Sequence, residues 1–360
     1  MNIIDRYIIR QILATFVFAM FALCIIFVIV NLMESLDEFI DKQATFKVII
    51  SYYLYYLPEI TKILTPVAML ISVLFTIGKL SNLSEIIAMK SGGMSLYRLI
   101  TPLLTVSLLI SLGQLYFNGW IVPKANHAKF DIEAKYFADK KSGGPIFNLY
   151  FRDNPLRNVI IKYYDETNKT GNNIAIEDYS DEKKPRLVKR IEAEKLTWDS
   201  STNKWKLSNG VSRIYNETGI IVKRIENEEI NLRIGDKQIK EFKRSTDEMT
   251  YPEFKEYLDL LNKGGKDVRK QVIEYYSNYA FPFANIIVVI FGVPFASVKK
   301  KGGIAIQIAA AMVISFSYLV FTKLGQSIGY SYMMNPILAG WIANLIFLGI
   351  GLINLFKTKT

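Results

Sequence analysis

Charged residues set inside apolar runs are the first candidates for chemistry in this sequence. Glu59 and Lys62 interrupt the first half of the run 53–78, and Lys323 closes the charge-free run 304–322. A charge at membrane depth costs at least about 2.5–3.5 kcal/mol on insertion scales, so such a group normally faces a cavity or a partner. Glu59 and Lys62 are three residues apart and share a helix face, where they can pair. Lys62, Lys124, Lys129 and Lys323, with Lys42 and Lys47, form a set of bases that could hold an anionic headgroup, with phosphate the obvious ligand. Snorkelling toward the interface competes with this reading for each base, and solvated surface does so for Lys42 and Lys47. Classical catalysis has little to work with. His127 is the only histidine and Cys24 the only cysteine, which removes a His/Cys metal site, a histidine-dependent triad and an intramolecular disulfide. No G-x-x-x-x-G-K-[ST] run is present, so the chain has no P-loop to cradle nucleotide phosphates. The acid pairs Glu177-Asp178 and Asp181-Glu182 lie among turn residues and read as solvated surface.

The second candidate is the segment 79–99, KLSNLSEIIAMKSGGMSLYRL. It is short, charged and flanked by two long apolar runs. Ser84 is placed to cap a helix in which Ile86, Ile87 and Met89 form an apolar side, with Glu85 and Lys90 outward. Gly92 and Gly93 stop that helix and Ser95 caps the next. The segment reads either as a plain interfacial loop or as a helix that docks into a groove on a soluble partner. In the docking reading Glu85 is the residue of interest, because a first-turn acid suits the helix dipole and can pair with a partner arginine.

The elements that must position these residues follow from hydropathy. The chain has 360 residues, 51% of them hydrophobic, with mean hydropathy +0.19. That is too apolar for an ordinary soluble protein and too charged for membrane spans alone. Residues 1–10 read as an interfacial helix, and 11–33 carry no charge. A cleavable leader is disfavoured, since this run is long and lacks an A-x-A-like site. Further spans are expected at 53–78, 99–123, 275–298, 304–322 and 337–356, making six, with a bend at Pro66. Between the third and fourth, short alternating segments at 157–164, 173–178, 186–198, 204–210, 211–216, 219–225 and 229–234 are separated by turn signals. These predict an antiparallel all-β insertion, a sandwich or jelly roll. An amphipathic helix ended by Gly264 and Gly265 follows it. The net charge of +11 could suggest nucleic acid. Its location argues otherwise, because the bases cluster beside the spans: Arg6 and Arg10, then Lys79, Lys90 and Arg98, then Lys299 to Lys301, then Lys357 and Lys359. All fall on one side, and Glu34, Asp37, Glu38 and Asp41 fall on the other. The positive-inside rule makes both termini and the 79–99 segment cytoplasmic, with the β insertion on the opposite side.

With this layout the chain resembles the LptF/LptG (YjgP/YjgQ) family of lipopolysaccharide export permeases. The resemblance rests on SEIIAMKSGGMSLYRL, where Glu85, Ile86, Ile87, Ala88, Lys90, Gly93, Ser95 and Arg98 match the family's coupling-helix pattern. It rests also on FPFANIIVVIFGVPFA, with Pro282 and Gly292-Val293-Pro294, on NPILAGW, with Pro336, Ala339 and Trp341, and on the opening IIDRYIIRQIL. It implies a membrane α-helical fold of six spans, three plus three, with an inserted periplasmic jelly-roll-like domain. The expected boundaries are 1–123 with a coupling helix at about 80–94, then 124–274, then 275–360.

The resemblance further implies an inner-membrane subunit that takes lipopolysaccharide toward the outer membrane. Its partners would be a homologous permease in a heterodimer, a cytoplasmic ABC ATPase dimer, a single-span accessory subunit, and periplasmic bridge proteins with similar jelly rolls. ATP and Mg²⁺ would be used by the ATPase, and no cofactor is expected on this chain. Coupling falls to Glu85, Ile86, Ile87, Ala88, Lys90, Gly93 and Arg98. Headgroup contact falls to Lys62 and Lys323, then Lys124 and Lys129. Where the family often places bases, at the end of the first span and before the fourth, this chain has Glu34 and Glu274-Tyr275-Tyr276-Ser277. Two other readings were open on the residues alone. One is a permease of the lipoprotein-release kind, whose large domain usually follows the first span. The other is a membrane receptor or scaffold with a β binding domain.

Overall fold

The computed structural model describes residues 3–136, 146–165, 168–181, 186–216, 219–236, 239, 245–263, 267–297 and 303–357. The chain divides into two units, Met1–Ile132 with Arg269–Thr360, and Glu133–Val268. The basic loop 299–302 and the helix-ending Gly264 and Gly265 lie outside the described residues.

The first unit is helical. It contains α1 (Ile3–Asp41), α2 (Phe46–Asn82), the short α3 (Glu85–Ser91) and α4 (Leu96–Tyr116). A π-helical turn, Phe117–Ile121, leads from α4 into α5 (Val122–Tyr136). After the insertion come α7 (Arg269–Ala280), a 3₁₀ turn at Phe281–Phe283, α8 (Ala284–Ser297), α9 (Gly303–Ser331) and α10 (Pro336–Lys357). Among the described residues six helical stretches are long and apolar enough to cross a membrane, and they coincide with the six expected spans. Helix α2 continues through Pro58 and Pro66 and is the most enclosed, while α1 and α9 are the most open. Its inward residues Met69, Leu70, Val73, Leu74 and Ile77 pack with Val288, Val289 and Val293 of α8 and with Leu99, Ile100 and Leu103 of α4. Gly292 permits this approach: a Cβ there would lie 3.0 Å from Leu70 Cδ1.

Small residues also set the packing of the last three helices. A Cβ on Gly325 or Gly329 of α9 would lie 2.2 Å from Ile342 Cγ2 or Ala339 Cβ of α10. One on Gly340 of α10 would lie 2.8 Å from the Ser277 backbone nitrogen of α7. Between membrane helices there is little hydrophobic drive, so close backbone approach and van der Waals contact do the holding. The broken span α7–α8 is braced by side chains. Pro282 prevents regular helical bonding there. Ser111 Oγ donates to the Pro282 carbonyl at 2.8 Å, and Asn344 Nδ2 donates to the Ala280 carbonyl at 2.7 Å. Tyr318 donates to Asn344 Oδ1 at 2.7 Å, completing the brace from α9.

The second unit holds β1 (Ile146–Asn154), β2 (Arg157–Asp165), β3 (Thr170–Tyr179), β4 (Leu187–Asp199), β5 (Lys204–Asn216) and β6 (Gly219–Ile230), then α6 (Tyr251–Lys263). The strands form one antiparallel sheet in chain order. The all-β insertion thus takes the form of a meander in the described residues. Rows such as Phe151–Val159–Ile176–Ile191 line its buried face. Three expectations for the strands change. Strand β1 was not anticipated. The segments 204–210 and 211–216 are one strand: Asn209 holds a left-handed φ of 54° inside it, so the turn signal SNG bends the strand without ending it. Gly210 is required beside it, since a Cβ would lie 2.8 Å from the Glu192 carbonyl oxygen. The segment 229–234 is no separate strand. Beyond β6 the chain becomes a strap, with Leu232 and Ile234 buried. Side chains capture it: Trp205 Nε1 donates to the Ile234 carbonyl at 2.8 Å, the Arg233 N–H donates to Asp153 at 2.6 Å, and Tyr164 donates to Asp236 at 2.6 Å.

Candidate functional site

Helix α3 is built largely as its residues suggest, with two differences. Its C-terminus is a Schellman cap: the Met94 N–H donates to the Met89 carbonyl at 3.0 Å and the Gly93 N–H to that of Lys90 at 2.9 Å. Gly93 sits at φ 83°, the left-handed geometry that favours glycine. Ser95 caps α4 by accepting from the Arg98 N–H at 3.3 Å. Ser84, however, is itself left-handed at φ 59° and makes no side-chain cap bond. The apolar side is also divided. Ile86 is buried in the bundle core with Met89 against it, whereas Ile87 is 58% exposed. Ile87, Ala88 and Lys90 therefore form an outward face on a helix anchored by Ile86.

Two contacts that the sequence reading did not foresee hold this segment. Tyr7 of α1 donates to Glu85 Oε2 at 3.3 Å, and Arg98 pairs with Asp5 of α1 at 2.8 Å. The partners lie 78 and 93 residues apart, so no local pattern announces them. Ser81 Oγ donates to the Ser297 carbonyl at 3.3 Å, bringing the end of α8 to the same end of the bundle. The basic clusters at Arg6 and Arg10 and at Lys79, Lys90 and Arg98 are thus gathered at one end of this unit.

The charges within the spans are arranged differently from the expected Glu59–Lys62 pair. Glu59 pairs with Lys129 of α5. Lys129 is buried, and its Nζ lies 5.0 Å from the centre of the Tyr56 ring and 4.7 Å from that of Phe130. A buried ammonium takes the nearest carboxylate, and the half-buried Lys62 can be hydrated instead. The Lys62 backbone carbonyl accepts from Gln114 Nε2 at 2.9 Å. The side chains of Lys62 and Lys124 make no hydrogen bond or ion pair among the described residues.

Lys323 lies elsewhere, in a cavity of about 500 Å³ lined also by Lys270, Glu274, Gln326, Ser327 and Tyr330. Lys323, Gln326, Ser327 and Tyr330 recur at helical spacing on α9, and Lys270 and Glu274 are one turn apart on α7. Gln326 Nε2 donates to Ser277 Oγ at 2.6 Å and fixes that wall. Two ammonium groups, amide and hydroxyl donors and one carboxylate suit a phosphorylated ligand with hydroxyl groups. Lys270 was missed in the sequence because it precedes the apolar run. Of the four expected headgroup bases, only Lys323 lines this cavity. Among the described residues no group of three or more His, Cys, Asp or Glu could hold a metal ion.

The family model for the lipopolysaccharide export system permease LptF/LptG matches residues 6–357. No curated protein matches the chain. A match of this extent, over the same six-helix and inserted-sheet layout, shows that the chain belongs to the LptF/LptG family.

Proposed function

We propose that this LptF/LptG permease is one of two homologous subunits of an ABC exporter, with a cytoplasmic ATPase dimer docked on α3. The observation that carries this reading is the divided helix: Ile86 is anchored in the core while Ile87, Ala88 and Lys90 face outward at the basic end of the bundle. The positive-inside rule puts that end in the cytoplasm, where ATP is. A short helix with a protruding isoleucine, a first-turn acid and a lysine fits a partner groove that offers an apolar pocket and an arginine.

On the opposite side, Lys270 and Lys323 would take the phosphorylated headgroup of lipopolysaccharide, with Lys62 and Lys124 as further bases. ATP binding in the partner would press on α3 and close the space between the two permeases. Lipid would then rise to the β sheet. Strand β6 is at the sheet edge and exposes Ile220, Ile221 and Val222, a surface suited to pairing with the sheet of a bridge protein. A single-span accessory subunit fits beside the open faces of α1 or α9.

The test replaces Glu85 by Ala and Ile87 by Asp in the permease complex and measures retained ATPase and lipid release. Loss of ATPase, or of coupling, is expected. Full assembly and full lipid release in both variants would refute docking through α3.

A further inference from the structure

The first two turns of α1 have no part in the docking face, yet they hold both ends of the coupling segment. Asp5 reaches Arg98, at the start of α4, at 2.8 Å, with its own carboxylate largely enclosed at 13% exposure. Tyr7 reaches Glu85, at the start of α3, at 3.3 Å. Between these polar contacts, Ile8 and Ile12 are buried in the same cluster as Leu80, Ile86, Leu99 and Ile100. The segment 85–98 is therefore gripped at its first and last turns by one short stretch of another helix, with an apolar seam between the grips. We propose that Asp5 and Tyr7 are positioning residues of the coupling apparatus, and that α1 is the span to which a push on α3 is delivered.

The geometry explains why α1 and not α2 would respond. Helix α2 is continuous in sequence with the coupling segment, but it is the most enclosed span and is packed against α8 through Gly292. Within this chain helix α1 is the most open, packed chiefly on α2 and α4, with Val17, Phe18 and Phe21 exposed along it. Moving a helix with few packed neighbours separates less interdigitated surface than moving one at the centre of a close-packed core. Displacement of α3 is thus resisted along α2 and accepted along α1. Tyr7 has a second effect. Glu85 already accepts one hydrogen bond within the chain, and a carboxylate has room for more. A partner arginine can join Tyr7 on Glu85, so docking and grip act on one group.

This inference rests on the docking reading, and the experiment separates the two. The intact permease complex is purified with its ATPase and placed in vesicles containing lipopolysaccharide. Retained ATPase, ATP turnover and lipid released per ATP are measured for Asp5→Arg, Arg98→Asp, the Asp5→Arg/Arg98→Asp double variant, and Tyr7→Phe. Asp5→Arg is expected to keep the ATPase bound, and each charge reversal to lower lipid released per ATP by about fivefold or more, the lower end of ordinary site-to-site coupling. The double variant restores the pair with reversed sign and should recover most of that ratio. Reversals that release lipid as the parent does, or a double variant no better than either single, would overturn the proposal. If a reversal prevents assembly, Asp5→Asn and Tyr7→Phe decide the matter: unchanged lipid per ATP in both would sink it. A parent complex that retains no ATPase instead overturns the docking reading.

Discussion

Removing the carboxylate of Glu59 should harm the protein more than removing its partner Lys129. The Lys129 side chain is 6% exposed and that of Glu59 26%. In Glu59→Gln the ammonium stays buried without its counter-charge, a loss of about 3–5 kcal/mol for a buried pair. The Tyr56 and Phe130 ring faces meet the ammonium in parent and variant alike, so they do not offset this loss. In Lys129→Met the remaining carboxylate can turn to solvent and the apolar chain fills the old stem, so the loss is about 1–2 kcal/mol. The double variant Glu59→Gln/Lys129→Met leaves no buried charge and should lie within about 1 kcal/mol of the parent. The interaction term of the cycle is then at least about 2 kcal/mol. Unfolding of the purified chain in mixed micelles, followed across the four proteins, measures it. Equal or inverted single losses, or strict additivity, would refute the reasoning. Lipid release by the double variant adds a second reading. Intact release marks Lys129 as a structural cation, whereas a well-folded double variant that fails to export would return it to the headgroup contacts.

Gly329→Ala puts a methyl group 2.2 Å from Ala339 Cβ, so the unfolding experiment should show a loss of about 1–3 kcal/mol from overpacking. Gly349→Ala on α10, where nothing lies within 4 Å, is the silent control. Trp205→Phe leaves the buried Ile234 carbonyl without its donor and should cost about 1–3 kcal/mol, with protease cleavage of the 231–236 strap as the local readout. Burial raises the Asp153 carboxyl above its ordinary value, partly opposed by the Arg233 N–H. Its stabilising contribution is therefore full below the unfolded value of about 3.9 and is lost as pH rises through the raised folded value. Resistance of the β unit to thermal unfolding should rise as pH falls through that window, and Asp153→Asn should remove that part of the slope. An unchanged slope would count against the assignment.

The six spans were legible because a 20-residue apolar run has few other uses, and the α3 caps because Gly93 and Ser95 carry local instructions. What the sequence hid was long-range. Glu59 has Lys62 three residues away, yet it pairs with Lys129, and only the folded bundle reveals which cation is buried. Ile86 and Ile87 are equally apolar, and their opposite fates depend on where α1 and α4 stand. In the β unit, Asn209-Gly210 carried a true signal for a left-handed residue, which is compatible with a bent strand as well as with a turn. The 229–234 segment alternates like a strand, but it is held by Trp205, Asp153 and Tyr164 side chains. Lys270 illustrates the last kind of miss, a base just outside an apolar run whose partner Lys323 is on another helix.

The glycine contacts among α7, α9 and α10 have a mechanical consequence. Three helices whose backbones meet at Gly325, Gly329 and Gly340 leave little room at those crossings, and together they form one close-packed slab. The cavity holding Lys270 and Lys323 is carved between α7 and α9, within that slab. With these backbone contacts intact the cavity keeps its shape, and a phosphorylated ligand bound between Lys270 and Lys323 would leave by competition from other groups, not by a squeeze of these walls.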